Sequence, residues 1–424
     1  MATIHSLPHT VVTQIFNCLM WTETLDIVNA IPELENSLSC ISSWRYLEHN
    51  HDEATHFLEC IKEYGKHFQN IKLAFNKENP DSILQLLKEI SNKCINLSTL
   101  ELEHFCTNCE CEFPDDYFQQ CSEVFCDLLQ KCSKLRSVNI SSFVTSTIED
   151  STGLVTLLTM IIEKKLTQAV AEIDFLLLSL YDVEFDYHYF VQCFENLRKL
   201  AIRREFLSKK IMFKLMNKPL NELALHTDGE SDTIHHEEIE PDIWKSLTSK
   251  CPDLSVAIEL KQLNVTLKDF PQYLPITKIA LTFFSTGVKL ENLLRHFVDS
   301  YNNTLTHLYF ILDDSEEDGE LELNDQFRQL SSVLVDTVSQ CPKITHLKYN
   351  IPLSSSMVLN IARQRKLKEL CLYENKVSYE REYQFASSTD NFPKSQEELE
   401  ESVSVLLDRK WCLTPDEEYE LLNH

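Results

Sequence analysis

The chain has 424 residues, a length that suits a small module joined to an elongated domain. Because 43% of its residues are hydrophobic, it can bury a sizeable core. Its 39 basic and 66 acidic residues give a formal net charge of −27. A chain with this charge repels phosphate backbones, so we expect no nucleic-acid partner and favour basic protein partners. The five glycines are too dispersed to form a glycine-rich phosphate loop, since even Gly287 and Gly319, the closest two, are 32 residues apart. This excludes the familiar nucleotide-dependent enzymes, and we expect no cofactor.

The sequence also predicts the cellular compartment, and with it the state of the 15 cysteines. The first residues, Met1–His5, lack the charged and apolar regions of a signal peptide. The longest near-continuous apolar run, Leu154–Ile162, is too short to span a bilayer. We therefore expect no membrane association and a reducing cytoplasmic or nuclear location, with most thiols free and buried.

The N-terminal segment predicts three short helices. Its first apolar residues lie on one stripe of a helix with 3.6 residues per turn. They are Leu7, Val11, Val12, Ile15, Phe16 and Leu19. Pro8 suits the first helical turn, a second segment at Leu25–Ala30 is stopped by Pro32, and a third apolar run ends at Trp44. Helices this short form little core alone, so they should pack on a partner or on the next domain.

The next helix is predicted with Phe57, Ile61 and Tyr64 on one face, and Gly65 is a plausible C-terminal cap. Residues 68–75 then alternate as a half-buried strand does.

This helix–strand unit recurs along the chain. Clear copies begin at Cys94, Cys132 and Cys341 with the frame Cys-x2-Leu/Ile-x2-Leu/Val-x-Leu/Ile/Tyr, and looser copies begin at Cys193 and Cys251. The central strand positions are 71, 100, 138, 173, 200, 223, 256, 279, 308, 347 and 370. Several intervals match the 20–29 residues of leucine-rich repeats, and the longer ones carry insertions. The fold class predicted is α/β, a curved leucine-rich-repeat solenoid with a parallel sheet inside and helices outside. The alternative, a compact doubly wound sheet, lacks its glycine-rich turns.

The last part of the chain, residues 378–424, changes character. A polar stretch precedes a predicted helix at Ser395–Asp408. We interpret this part as a helical cap over the last repeat; a tail that contacts substrate is the alternative.

Three clusters contain side chains of the types that bind metals or substrates, and no metal site is predicted from any of them. Cys106, Cys109 and Cys111 have the spacing of half a zinc site, but Cys121 and Cys132 downstream fit a buried helical stripe better. His235 and His236 lie in an acidic stretch without a second ligand pair. The acidic run 313–320 lies in the longest repeat, where it is either a solubilising loop or an acidic lip for a basic substrate. No nucleophile context is recognisable, so we expect a chain that is not an enzyme.

The N-terminal pattern resembles an F-box. The resemblance is carried by Leu7-Pro8, Ile15-Phe16 ahead of Leu19, a second helix near Leu25, and Trp44-Arg45-Tyr46. The usual Cys-Arg-x-Trp is replaced by Ile31-Pro32-Glu33-Leu34. With the repeats behind it, the chain is similar to F-box proteins with divergent leucine-rich repeats, of the F-box only protein 39 group.

The resemblance implies a substrate-recognition subunit of an SCF-type ubiquitin ligase. Residues 1–49 would form the F-box, residues 50–377 the repeats and residues 378–424 the cap. The F-box would bind the S-phase kinase-associated (Skp) adaptor and, through it, a cullin, while the repeats hold a protein substrate. The implied adaptor contacts are Leu7, Pro8, Val12, Ile15, Phe16, Leu19 and Leu25. Two alternatives stay open: a repeat scaffold whose N-terminal helices serve as a cap, and a metalloenzyme built on the Cys106–Cys111 cluster.

Overall fold

The structure is a computed structural model, and it describes most of the chain. The described residues are 9–16, 19, 21–34, 46–49, 54–75, 80–104, 117–135, 137–139, 152–175, 186–227, 239–261, 267–283, 290–312, 325–379 and 393–415. The chain divides into two compact units, Met1–Leu200 and Ala201–His424.

Helices and strands alternate through the first unit. Its elements are α1 (His9–Phe16), α2 (Trp21–Ala30), β1 (Tyr46–His49), α3 (Ala54–Tyr64), β2 (Asn70–Phe75), α4 (Pro80–Lys93), β3 (Thr99–His104), α5 (Tyr117–Lys131), β4 (Ser137–Asn139), α6 (Thr152–Glu163), β5 (Glu172–Asp174) and α7 (Tyr187–Cys193). Strand β6 (Lys199–Arg203) crosses the boundary between the units.

The second unit continues the alternation. Its elements are α8 (Lys209–Leu215), β7 (Glu222–Thr227), α9 (Pro241–Lys250), β8 (Ser255–Lys261), β9 (Ile276–Phe283), α10 (Leu290–Tyr301), β10 (His307–Leu312), α11 (Asp325–Gln340), β11 (His346–Tyr349), β12 (Leu353–Ser354), α12 (Ser355–Gln364), β13 (Glu369–Leu372), β14 (Val377–Ser378) and α13 (Gln396–Leu407).

Each unit contains a parallel sheet whose strands follow chain order. In the first unit β1 pairs with β2, β2 with β3, β3 with β4 and β4 with β5. In the second unit the pairs are β7–β8, β8–β9, β9–β10, β10–β11 and β11–β13. Parallel neighbours need a crossover connection, and most of these crossovers contain a helix. The short β8–β9 connection has only a 3-10 turn at Leu267–Asp269 among its described residues.

The register of these strands matches the repeat frame. Ile279, Leu308, Leu347 and Leu370 lie opposite one another on four neighbouring strands, and all eleven predicted strand centres are buried strand residues. Repeats that each bury one strand against their neighbours form a solenoid. The chain therefore has the α/β leucine-rich-repeat solenoid fold, and this prediction is confirmed.

Helices of successive repeats pack against each other. In the first unit α3 contacts α4, α4 contacts α5 and α5 contacts α6; in the second unit α10 contacts α11, α11 contacts α12 and α12 contacts α13. Cys94, Cys132 and Cys341, at the helix ends of the repeat frame, are buried. Among the described residues, no helix has the length and apolar character needed to cross a membrane.

Strand β1 was not predicted from the sequence. Tyr46 was expected to close the N-terminal helical segment, but Tyr46–His49 pairs in parallel with Asn70–Leu73 of β2. The segment Tyr-Leu-Glu-His is held as a strand by its hydrogen bonds to β2. Four residues are too few for sequence periodicity to predict a strand. The third predicted helix, before Trp44, lies mainly in 35–45, outside the described residues.

The C-terminal segment covers strand β13. The Thr414 backbone N–H donates to Leu372 O at 2.8 Å, and the Trp411 indole Nε1–H donates to Leu370 O at 2.7 Å. Helix α13 packs on α12 and is capped by Ser395 and by Asp408, whose φ is 59°. The edge of β13 is therefore covered at Leu370 and Leu372 by the C-terminal segment.

Candidate functional site

The candidate adaptor contacts in α1 differ in accessibility. Val12 and Phe16 are buried within this chain at 4% and 0% exposure, whereas Ile15 is 38% exposed. Leu19 is half-buried. The α1 stripe is therefore divided: Val12 and Phe16 are buried in the protein, and Ile15 is left facing outward.

Of the remaining adaptor candidates, only Leu25 lies in a described element, helix α2. Leu7 and Pro8 lie outside the described residues. Helix α2 is tied to the first repeat by the Tyr64 phenol, which donates to Asn29 Oδ1 at 3.1 Å. Helix α2 is thus held directly against the repeats.

A second candidate surface is the strand face of the second unit that the helices leave uncovered. Along β7, β8, β11 and β13, buried residues alternate with half-exposed or exposed ones. Parallel sheets usually have both faces covered. We call this half-exposed side the open face, and it consists of the outward residues of β7, β8, β9, β10, β11 and β13.

Two histidines lie at the centre of the open face. His307 and His346 are direct neighbours in the register of β10 and β11, and their rings stack with centroids 4.0 Å apart and planes 7° apart. Tyr309 meets the edge of His307, with centroids 6.1 Å apart at 90°. Each histidine follows a threonine, Thr306 or Thr345, whose hydroxyl lies 2.8 Å from the histidine Nδ1.

Charged residues extend this centre toward β7. Glu259 binds Lys278 in a short ion pair and lies 3.3 Å from the Nδ1 of His226. The Lys278 ammonium also lies 5.6 Å from the centroid of the Tyr309 ring. Glu259 is therefore occupied by two partners from within the chain.

The environment of the open face shifts two pKa values. Burial, followed by the nearby His346 and Lys278, lowers the pKa of His307 despite an opposing effect of Glu369. Burial raises the pKa of Tyr309 to about 12. At neutral pH we expect His307 to be uncharged and Tyr309 to keep its proton.

The histidine pair was missed in the sequence analysis, although a signal was present. The same Thr-His-Leu triplet follows the helix in two successive repeats, at Thr306–Leu308 and Thr345–Leu347. Position in the repeat frame places both histidines on the same face of adjacent strands.

The helix-end thiols belong to the core. The Cys132 thiol donates to Cys94 O at 3.4 Å, and the Cys251 thiol donates to Lys218 O at 3.7 Å. Burial raises the pKa of Cys132 to about 11, and that of Cys341 to about 11. Thiols held protonated in this way are poor nucleophiles.

The other candidates for chemistry lie outside the described residues. These are Cys106, Cys109, Cys111, His235, His236 and the acidic run 313–320. Cys121 and Cys132, expected as core, are both buried at 2% exposure, so that prediction is confirmed. Within the part of the chain that the structure describes, no group of three ligating side chains could hold a metal ion.

Comparisons with known proteins add structural neighbours only. No protein-family model matches the chain, and no curated protein matches it. The chain is similar to the crystal structure of the Rad7 and Elc1 complex from yeast, at 13% identity and a TM-score of 0.42, covering 90% of this chain and 91% of that chain. It is also similar to the leucine-rich repeat-containing protein LegL7 from Legionella pneumophila, at 10% identity and a TM-score of 0.37, covering 86% and 98%. The fold assignment itself rests on the strand register and the repeat frame.

Proposed function

We propose that this chain is a non-catalytic, cytoplasmic or nuclear substrate receptor of an SCF-type ubiquitin ligase. Its repeats would hold a protein substrate, and its N-terminal helices would bind the Skp adaptor and, through it, a cullin. The receptor would place a substrate lysine near a ubiquitin-charged enzyme without reacting itself. Its contribution to the rate is effective concentration.

The observation that supports protein binding is the open face. Its outward residues include the Tyr309 ring, the imidazoles of His226, His307 and His346, and charged groups, and these four rings are half-exposed on a parallel sheet. Rigid scaffolds that present aromatic and polar side chains are suited to protein recognition. The buried, protonated thiols of the repeat frame support a non-catalytic role.

The adaptor half of the proposal is supported by the sequence resemblance and by Ile15. An exposed Ile15 beside the buried Val12 and Phe16 is an apolar contact available to a partner. Val12 and Phe16, which are buried, would hold the helix that presents Ile15 and would not contact the adaptor themselves. Phe16→Ala is a poor test, because truncating a fully buried Phe costs roughly 3–5 kcal/mol of stability.

The experiment is co-expression of the full chain with the Skp adaptor, followed by size-exclusion chromatography. We expect a one-to-one complex for the unaltered chain and its loss with Ile15→Asp, because a buried interface would receive an unpaired carboxylate. Gln14→Asp is the matched control, since Gln14 is exposed on the same helix. Retention of the complex by Ile15→Asp would show that Ile15 is not in the docking face.

A fragment that begins at residue 50 would be a misleading control. It would lack β1, which pairs with β2 through Leu47 opposite Ile71. Removing β1 exposes the edge of β2, and unpaired edges promote aggregation. Point variants of the intact chain avoid this problem.

A repeat scaffold without a ligase is the second candidate function. The Tyr64–Asn29 hydrogen bond favours it, because it joins α2 to the first repeat and a terminal cap is expected to pack on its own repeats. If the full chain is monomeric and does not bind the adaptor, that result would contradict the ligase proposal and support the scaffold function.

A further inference from the structure

The stacked imidazoles are held in one orientation by their own repeats. The Thr306 hydroxyl donates to Thr277 O at 2.8 Å, and the Thr345 hydroxyl donates to Thr306 O at 3.4 Å. A hydroxyl has one hydrogen, and the 2.8 Å bond of Thr306 uses it on Thr277 O. The Thr306 oxygen can therefore only accept from Nδ1 of His307, so this nitrogen carries the proton.

This tautomer leaves the Nε2 of His307 as an acceptor. Because the rings are parallel and each Nδ1 binds its own threonine, the two Nε2 atoms lie side by side at the open face. Neither has a hydrogen-bond partner within the described part of the chain. Protonation would turn Nε2 into a donor without breaking the threonine bond.

The charges around the pair are unbalanced toward the positive. The groups that face it from the neighbouring strands are Glu259, Lys278, Tyr309, Lys348, Lys368, Glu369 and Cys371. Glu259 is already neutralised by Lys278. Among the described residues, Lys348 and Lys368 have no ion-pair partner, and Glu369 is the one unpaired carboxylate set against them.

The lowered pKa of His307 reflects, besides burial, the same excess of positive charge. After burial, the largest effects on it come from His346 and Lys278, which both lower it, while Glu369 acts in the opposite direction. A carboxylate arriving from outside would reverse the sign of this local field. It would thereby favour a proton on the imidazole pair.

We infer that the open face at His307 and His346 binds an acidic segment of a protein partner, with one partner carboxylate accepting from the single Nε2 of the pair that takes up a proton. Lys348 and Lys368 supply the flanking positive charge, and Tyr309 supplies a rigid aromatic contact. Stacked imidazoles resist double protonation, so one partner carboxylate is matched by one added proton.

This surface is a local exception to the charge of the chain. The net charge of −27 favours basic partners over most of the surface, whereas the histidine pair favours an acidic one. The inference rests on the proposed use of the repeats for protein binding and not on the adaptor. The adaptor assay and the peptide assay below can therefore fail independently.

The test is binding of a fluorescent ten-residue peptide of alternating Asp and Glu to the full chain at fixed ionic strength, measured by anisotropy. Matched peptides with Asn and Gln, or with Lys, serve as neutral and basic probes. We expect binding of the acidic peptide to be roughly three- to tenfold tighter at pH 6.0 than at pH 7.5, because one proton is linked to binding. The neutral peptide should show no such dependence.

Variants assign the effect to residues. His307→Gln with His346→Gln keeps polar, half-exposed side chains but cannot titrate, so the pH dependence should disappear. Lys348→Gln should weaken binding at both pH values and keep the pH dependence. His188→Gln, on α7 in the first unit, is the matched control that removes a half-buried histidine elsewhere.

The thermal unfolding midpoint of each variant checks that the fold is kept. The inference is overturned by absence of acidic-peptide binding, by preference for the Lys peptide, or by an unchanged pH dependence in the double histidine variant. Tighter acidic binding at low pH that depends on both histidines supports it.

Discussion

At the scale of single residues, Gly65 is required by a close approach of its neighbours. The sequence predicted Gly65 as the C-terminal cap of the helix, and Gly65 begins a 3-10 turn, Gly65–His67, directly after α3. A Cβ placed on Gly65 would lie 2.7 Å from Lys93 Cβ and 3.2 Å from Cys94 Sγ. The absence of a side chain therefore lets the end of α4 pack against this turn.

Gly65→Ala should destabilise the chain by roughly 1–3 kcal/mol, because overpacking in a core forces the neighbouring backbone to move. Urea unfolding measures this loss. Lys62→Ala, at an exposed position on α3, should stay within about 0.5 kcal/mol of the unaltered chain. Equal stability of Gly65→Ala and the unaltered chain would show that α4 has room to shift.

The histidine pair shows where sequence reasoning stops at this scale. The frame alone places His307 and His346 on one face, since each directly precedes a buried strand centre, Leu308 or Leu347. The stacking and the tautomer depend on the threonine bonds to the preceding repeat, which are tertiary contacts. No periodicity in the sequence encodes the direction of a hydroxyl hydrogen.

At the scale of elements, predictability follows the strength of the local pattern. The predicted Ser395–Asp408 helix is observed as Gln396–Leu407 with those two residues as caps, because the Ser side chain accepts from the Glu398 N–H. Strand β1 was missed because four residues carry too little periodicity, and its pairing depends on β2. For the adaptor candidates, the sequence predicted the apolar stripe of the helix. It did not predict which residues of the stripe are buried within the chain.

The C-terminal cap gives a prediction at this scale. Trp411 is 5% exposed and donates its indole N–H to Leu370 O of β13, so Trp411→Ala should cost roughly 3–5 kcal/mol through lost packing and a lost hydrogen bond. Urea unfolding followed by circular dichroism measures the loss. Val405→Ala, at a position 75% exposed on α13, is the control and should change stability little. A small effect of Trp411→Ala would mean that the segment after α13 does not stabilise β13.

At the scale of the whole molecule, the repeat frame places a thiol directly after four of the helices, α4, α5, α9 and α11. Cys94, Cys132, Cys251 and Cys341 occupy the same frame position, and all four are buried. Burial raises the pKa of each of them. The repeats therefore distribute the same ionisable core group through both units.

These thiols predict that the chain loses stability in alkali. The folded pKa of Cys341 is about 11 against an ordinary 9.0, so the folded state holds the proton more tightly. The stability that this thiol contributes is complete below pH 9 and is lost as the pH rises toward 11, by roughly 1 kcal/mol between pH 8.5 and pH 10. Urea unfolding under reducing conditions at these two pH values measures the loss.

Cys341→Ala separates the thiols from the buried tyrosines, whose ionisation acts in the same direction. The variant is expected to be less stable at pH 8.5, because it leaves a small cavity, but to lose roughly 1 kcal/mol less than the unaltered chain on going to pH 10. Cys412→Ala is the matched control, since Cys412 is exposed in the folded chain, and its loss with pH should equal that of the unaltered chain. If Cys341→Ala also shows the full loss, the Cys341 thiol does not contribute to the alkaline sensitivity, which then comes from other ionisable groups.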